Sequence, residues 1–164
     1  MEKRVTLHWK HGLEFEVVNP EGSSISFENA ASAKTFRPSA LIPAGLAGCI
    51  GMDALEIMQK KRQSVDAYEV QVVGQQREEH PRYFTSIDVL HVINGSEIDD
   101  AAATRAIELS ARKYCAVGAT LAMGDTTIKH RMRIVDQTGE RTSDCLTIGP
   151  RGAGLALEPE PAQV

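Results

Sequence analysis

Basic charge is scarce in this 164-residue chain: 18 lysines and arginines stand against 22 acids, for a net charge of −4. No positive field argues for nucleic acid as a partner. Aromatic residues make up only 5%, too few for a base-stacking platform. Three cysteines are too few, and odd in number, for a secreted disulfide scaffold. Long apolar runs are also missing. The longest uncharged stretch, Pro38 to Met52, has 15 residues and carries prolines and glycines, whereas a membrane span needs ~20 apolar residues. No apolar segment follows the charged Met1-Glu2-Lys3-Arg4 start. The chain is expected to be soluble and cytoplasmic, with reduced thiols and no membrane partner. No C-x-x-C, H-E-x-x-H or phosphate-loop motif occurs, and His8, His11, His80, His91 and His130 lack ligand spacing, so neither metal nor cofactor is expected.

What is present is a globular composition, 42% hydrophobic and 24% charged, in a length that suits one domain. Residues 4 to 28 alternate as antiparallel strands, turning at His11-Gly12 and at Asn19-Pro20-Glu21-Gly22. Residues 29 to 37 are loop-like. A helix is predicted from Pro38 to Arg62, with Leu46, Ile50, Ala54, Ile57 and Met58 on one face. Its first half is apolar all round, which predicts burial on every side. Strands follow at Tyr68–Val73 and Tyr83–Asn94, the second apolar on both faces and therefore central. Asn94-Gly95 reads as a turn and Ser96-Glu97-Ile98-Asp99 as a capping box. A second helix runs to about Tyr114, with Ala103, Ile107, Ser110 and Tyr114 on its face. Cys115 falls at its end, where Gly118 would kink or terminate it. A last strand spans Thr126–Val135, with Ile128, Met132 and Ile134 inward and Lys129, Arg131 and Arg133 outward. The pattern weakens from Gln137. Gly149–Gly154 and the stretch from Glu158 read as a flexible tail. The expectation is an α+β fold: a domain over residues 1–136, then a C-terminal extension, partly flexible, over 137–164.

Composition alone makes Cys49 and Cys115 small buried hydrophobes. Two motifs point elsewhere. Pro38-Ser-Ala-Leu-Ile-Pro-Ala-Gly-Leu-Ala-Gly-Cys49 resembles the start of the central helix of the OsmC/Ohr family, the osmotically induced and organic hydroperoxide resistance proteins. Tyr114-Cys115-Ala116-Val117 resembles the Tyr-Cys-Pro-Val that ends that family's second helix. The likeness spans residues 4 to 136, and Ile57-Met-Gln-Lys-Lys-Arg62 is similar to the YhfA-like branch. The resemblance implies mostly antiparallel sheets packed on a long buried central helix, in an intertwined homodimer with sites at the subunit interface. It implies a thiol peroxidase acting on organic hydroperoxides. Cys49 would attack, Cys115 would resolve, and a dithiol reductant such as a lipoyl protein would restore both thiols. The role of Cys145 stays open.

The nucleophile must be a thiolate, and apolar surroundings oppose ionisation. No charge lies between Pro38 and Met52. Arg37 is twelve residues upstream of Cys49, ~18 Å along a continuous helix. It cannot touch the Cys49 of its own chain in that geometry, and the spacing is compatible with a contact to the Cys49 of a partner chain crossing antiparallel. The family peroxidases carry Pro-Glu where this chain has Pro38-Ser39, and the family arginine of the N-terminal strands has no counterpart. Arg37, His11 and Lys10 are the candidates to stand in. The competing reading is a non-catalytic dimer of the same fold, its cysteines structural. It would bind an apolar small molecule at the subunit interface, in a pocket lined by Leu46 and Ile50.

Overall fold

A computed structural model of the chain describes residues 2–28 and 34–157. It divides into two compact units, Met1–Ile42 and Pro43–Val164. In the first, β1 (Thr6–His11), β2 (Glu14–Val18) and β3 (Ser24–Glu28) form an antiparallel sheet in the order β1-β2-β3. Gly12 and Gly22 take positive φ in the two turns, the conformation that glycine adopts without a Cβ penalty. Val5, Leu7, Trp9 and Leu13 are each more than half exposed. Of the loop expected at residues 29 to 37, positions 29–33 lie outside the described residues; Lys34–Arg37 is irregular.

The helix predicted from Pro38 begins as a short 3-10 turn (Pro38–Ala40) and continues as α1 (Leu41–Lys60). Proline in the opening turn costs no hydrogen bond, since the first N–H groups of a helix lack intrahelical partners. By length and composition α1 could cross a membrane. Within this chain it instead turns one face, Leu46, Ile50, Gly51, Ala54 and Met58, into the core. The expected burial on every side is not met in the single chain: Met52 is 75% exposed. Helix periodicity, not mean apolarity, decides which side chains one packing surface can cover.

The second unit is built on a four-stranded sheet ordered β4-β5-β6-β7, made of β4 (Ser64–Gln76), β5 (Phe84–Ser96), β6 (Thr127–Asp136) and β7 (Gly139–Ile148). Pairing is antiparallel except between β5 and β6, which run parallel with Val89 opposite His130. A parallel pair demands a long crossover. Here it comprises α2 (Asp100–Leu109), a π turn (Ser110–Tyr114) and α3 (Ala116–Met123). Two clusters fill the core. One gathers Leu46 and Ile50 with Ile87, Val89, Cys115 and Ile128. The other gathers Ala54 and Met58 with Ile93, Ile107, Met132 and Ile134.

Several local expectations shift. Asn94-Gly95 is no turn: β5 continues through it, and Gly95 pairs with Val65. The backbone of Ser64 approaches so closely that a Cβ on Gly95 would collide with its carbonyl. The helix cap is Asp99, not Ser96; its carboxylate accepts from the Ala102 N–H at 2.6 Å. Gly118 ends no helix. It lies within the unforeseen α3, where a Cβ would sit 3.4 Å from both the Cys115 sulfur and the Leu46 side chain.

The weakly patterned stretch after Gln137 is strand β7, paired with β6 from Asp136 to Ile128. As an edge strand its outer positions are polar, which hid the alternation. Arg141 anchors it, bonding Asp136, Asp100 and the Ile98 carbonyl. The Gly149–Gly154 segment, expected to be flexible, is tied down. Gly152 N–H donates to Ala122 O at 2.8 Å, and Arg112 Nε donates to Gly154 O at 2.8 Å. The tail expected from Glu158 lies outside the described residues.

Candidate functional site: two thiols at a helix crossing

α1 carries Cys49 on a half-buried position one turn before Asp53. The approach of Cys115 depends on the π turn. Its closing bond runs from Cys115 N–H to Ser110 O, five residues back, at 2.8 Å. Such an insertion of one residue into a helical path re-aims the backbone that follows it. Cys115 then leaves the helical region at φ −71°, ψ 98° and becomes the N-cap of α3, its sulfur accepting from Gly118 N–H at 3.2 Å.

The two thiols are thereby neighbours in one packed cluster although 66 positions apart in sequence. Cys115 is buried and Cys49 half-buried. Burial first, then the hydrogen bond to Cys49, pushes the Cys115 thiol up to about 12; the nearby Asp53 charge acts in the same direction. Cys115 therefore holds its proton at neutral pH, next to the Cys49 sulfur. Further along α1, Asp53, Glu56, Ile57 and Lys60 line a cavity of about 320 Å³ with Leu109 and Tyr114.

Arg37 belongs to the first unit. There it lines a cavity of about 520 Å³ with Leu13, Phe15, Phe27 and Pro38. The other two candidate cations hold carboxylates within the β1–β2 hairpin: Lys10 Nζ is 2.6 Å from Glu16, and His11 Nε2 is 3.1 Å from Glu14. Leu46 and Ile50, expected to line an apolar ligand pocket, are fully buried in the core of the single chain. They occupy the face of α1 that packs inward, so in the single chain these two residues line no open pocket.

Two groupings escaped the sequence. Ser110 is fully buried; its hydroxyl lies 3.1 Å from Ile50 O and 3.4 Å from Asp53 Oδ2. The available sign was a hydroxyl on the apolar face of the predicted second helix. The second grouping is Tyr68–His91–His130. The Tyr68 hydroxyl is 2.6 Å from His91 Nδ1, and His91 Nε2 is 3.4 Å from His130 Nδ1. Both imidazoles are fully buried, and His130 Nε2 has no partner among the described residues. Parallel β5–β6 pairing creates this contact, which sequence spacing cannot show. Cys145, on β7, is half-buried against the same cluster as Tyr68; burial pushes its thiol up to about 12, with Glu108 and Asp144 adding to the effect. Among the described residues no group of three or more His, Cys, Asp or Glu is arranged to hold a metal.

The sequence and fold can be set beside known proteins. Over 135 residues the chain is 35% identical to Protein YhfA of Escherichia coli K12, covering 82% of this chain and 98% of that protein. The solved OsmC-like protein of Mycoplasma pneumoniae superposes with a TM-score of 0.71 at 16% identity, covering 82% of this chain and 98% of that one. The organic hydroperoxide resistance protein OhrB of Bacillus subtilis superposes with a TM-score of 0.54 at 21% identity, covering 80% and 98%. These two share the fold. The family model described as OsmC-like protein matches residues 31–131, a stretch that contains both contacting cysteines. With that match and the identity to YhfA over most of its length, the chain belongs to the OsmC family.

Proposed function

We propose that this protein is a cysteine-based thiol peroxidase that reduces organic hydroperoxides and works as an intertwined homodimer. The observation that carries the reading is the contact between Cys49 and a Cys115 that keeps its proton. A disulfide-forming pair needs two thiols within reach and a difference in role between them. The Cys49 thiolate attacks the hydroperoxide: an S–O bond forms, the O–O bond breaks, and the alkoxide takes a proton and leaves as alcohol. Cys115 then attacks the Cys49 sulfenic acid: the S–S bond forms, the S–O bond breaks, and hydroxide departs as water with the Cys115 proton. A dithiol, such as a lipoyl group on a partner protein, returns both thiols by exchange. The reducing cytoplasm is the compartment that sustains this cycle.

The family, typically homodimeric and inclusive of hydroperoxide resistance proteins, supports the assembly and the substrate. So do the exposed Val5, Leu7, Trp9 and Leu13 in the first unit and the exposed Met52 on α1, apolar surface of the kind a second copy covers. In the dimer Arg37 of one chain serves the Cys49 of the other, supplying the positive charge that Pro38 to Met52 lacks. The cavity lined by Phe15, Phe27 and Arg37 is suited to an apolar peroxide with a polar head. The test is a thiol count on reduced protein after addition of cumene hydroperoxide. Two thiols per chain should disappear, and Cys49→Ser should abolish the loss. An unchanged count refutes the proposal.

A further inference from the structure

Ser110 is a polar residue with no exposed surface, at the start of the turn that leads to Cys115. It opens the π turn, and two of its atoms serve the site. Its carbonyl accepts the Cys115 N–H at 2.8 Å, which closes the turn. Its hydroxyl lies 3.1 Å from the Ile50 carbonyl and 3.4 Å from Asp53 Oδ2, both on α1. Ile50 is the residue after Cys49, and Asp53 is one helical turn beyond it. One side chain thus ties the backbone beside the first thiol to the backbone that ends at the second.

A hydroxyl has one proton to give, and the two acceptors share it. The Ile50 carbonyl belongs to a helix interior and already receives the ordinary intrahelical bond. A second donor there adds little to the stability of α1 itself. Its consequence is registration between α1 and the crossover. Leu46, Ile50 and Ala111 pack apolar surface in the same cluster, but apolar packing tolerates sliding that a hydrogen bond does not.

We propose that Ser110 is a positioning residue for disulfide formation, its hydroxyl bridge to Ile50 and Asp53 holding the Cys115 sulfur beside that of Cys49. The inference rests on the peroxidase reading for its biological oxidant, but the bridge acts on any oxidation that ends in this disulfide. The first step involves Cys49 and the peroxide alone and does not depend on Ser110. The second step brings two protein sulfurs to bonding distance and does. A lost bridge leaves the sulfenic acid waiting, exposed to a second peroxide molecule that carries it to sulfinic acid.

The experiment compares wild type, Ser110→Ala and Ser110→Thr, each reduced and then mixed with cumene hydroperoxide or with diamide. Diamide takes up the two electrons and two protons of the thiol pair and yields the same disulfide without peroxide chemistry. In S110A the first thiol should be lost at the wild-type rate within about two-fold. Disulfide formation should slow about ten-fold or more with either oxidant, since a misplacement near 1 Å costs up to ~10²-fold. With hydroperoxide, sulfinic acid should appear on Cys49 by mass spectrometry. S110T restores the hydroxyl and should restore most of the rate. Gly95→Ala, destabilised in the sheet away from the thiols, controls for loss of stability and should close its disulfide at the wild-type rate. Wild-type disulfide kinetics in S110A with both oxidants overturns the proposal, as does a Gly95→Ala variant that is equally slow. If wild type ignores hydroperoxide while diamide still gives a Ser110-dependent disulfide, the peroxidase reading falls and the positioning role stands.

Discussion

Acidification from pH 7.5 to 5.0 should weaken this fold through two buried histidines. His91 is held down to about 3 by burial, with His130 adding to the effect; burial holds His130 down to about 4. In the unfolded chain each titrates near 6.5. Both folded values lie below the unfolded one, so the unfolded state binds more protons throughout the interval between them. Stability is then complete above about pH 6.5 and declines as pH falls toward 4. At pH 5.0 both imidazoles are still neutral in the folded protein. Each costs about 1.4 kcal/mol per pH unit below 6.5, so about 2 kcal/mol apiece and about 4 kcal/mol together. That is a large fraction of the 5–15 kcal/mol typical of a domain. Tyr68 faces His91 from β4 and His130 faces it from β6, while Cys145 acts on Tyr68 from β7; none of these offers a negative charge at pH 5 to 7.5 that would rescue the imidazolium. The assay is urea unfolding at the two pH values for wild type and His130→Leu. Carboxylates contribute equally to both proteins. The variant should therefore lose about 2 kcal/mol less than wild type on acidification. Identical pH dependence in the two, or the His91 or His130 imidazole of the folded protein titrating near 6.5 by NMR, would refute the reasoning.

Three further outcomes follow from the packing. With its thiol pushed up to about 12, Cys145 should react with iodoacetamide at pH 8 roughly a thousand-fold more slowly than a free model thiol. Cys145→Ser should leave the two-thiol response to hydroperoxide intact, and labelling followed by peptide mass mapping reads both. Gly95→Ala drives a methyl into the Ser64 carbonyl and should cost about 1–3 kcal/mol, read as a lower urea midpoint with an unchanged m-value.

How far the sequence discloses this molecule depends on the distance over which each device acts. Alternation in β5 and β6 and the 3.6-residue periodicity of α1 are local, and they named Ile50, Ala54, Met58, Ile128, Met132 and Ile134 as core residues correctly. The order of motifs around Cys49 and Cys115 carried the family. Other features are set by the partner strand. Gly95 reads as a turn because the dipeptide Asn-Gly favours one, yet the nearness of Ser64 decides its conformation. β7 shows a polar face because it is an edge, and its anchoring ion pairs reach back to Asp100. The Cys115 approach hinges on one extra residue in a helical turn, and hydrophobic periodicity does not resolve a five-residue hydrogen bond from a four-residue one. His91 and His130 meet only because β5 and β6 run in the same direction.

That shared direction has a mechanical consequence. A hairpin hangs from one end of a sheet and can peel away; a crossover is moored at both ends in its two middle strands. Cys115 rides on such a bridge. To swing it outward, the chain would have to unzip β5 or β6, the strands with neighbours on either side. Under the proposed function, disulfide formation would have to run on small adjustments of two side chains within a stiff frame, and amide exchange along the segment 100–123 should be as slow as in the sheet that holds it.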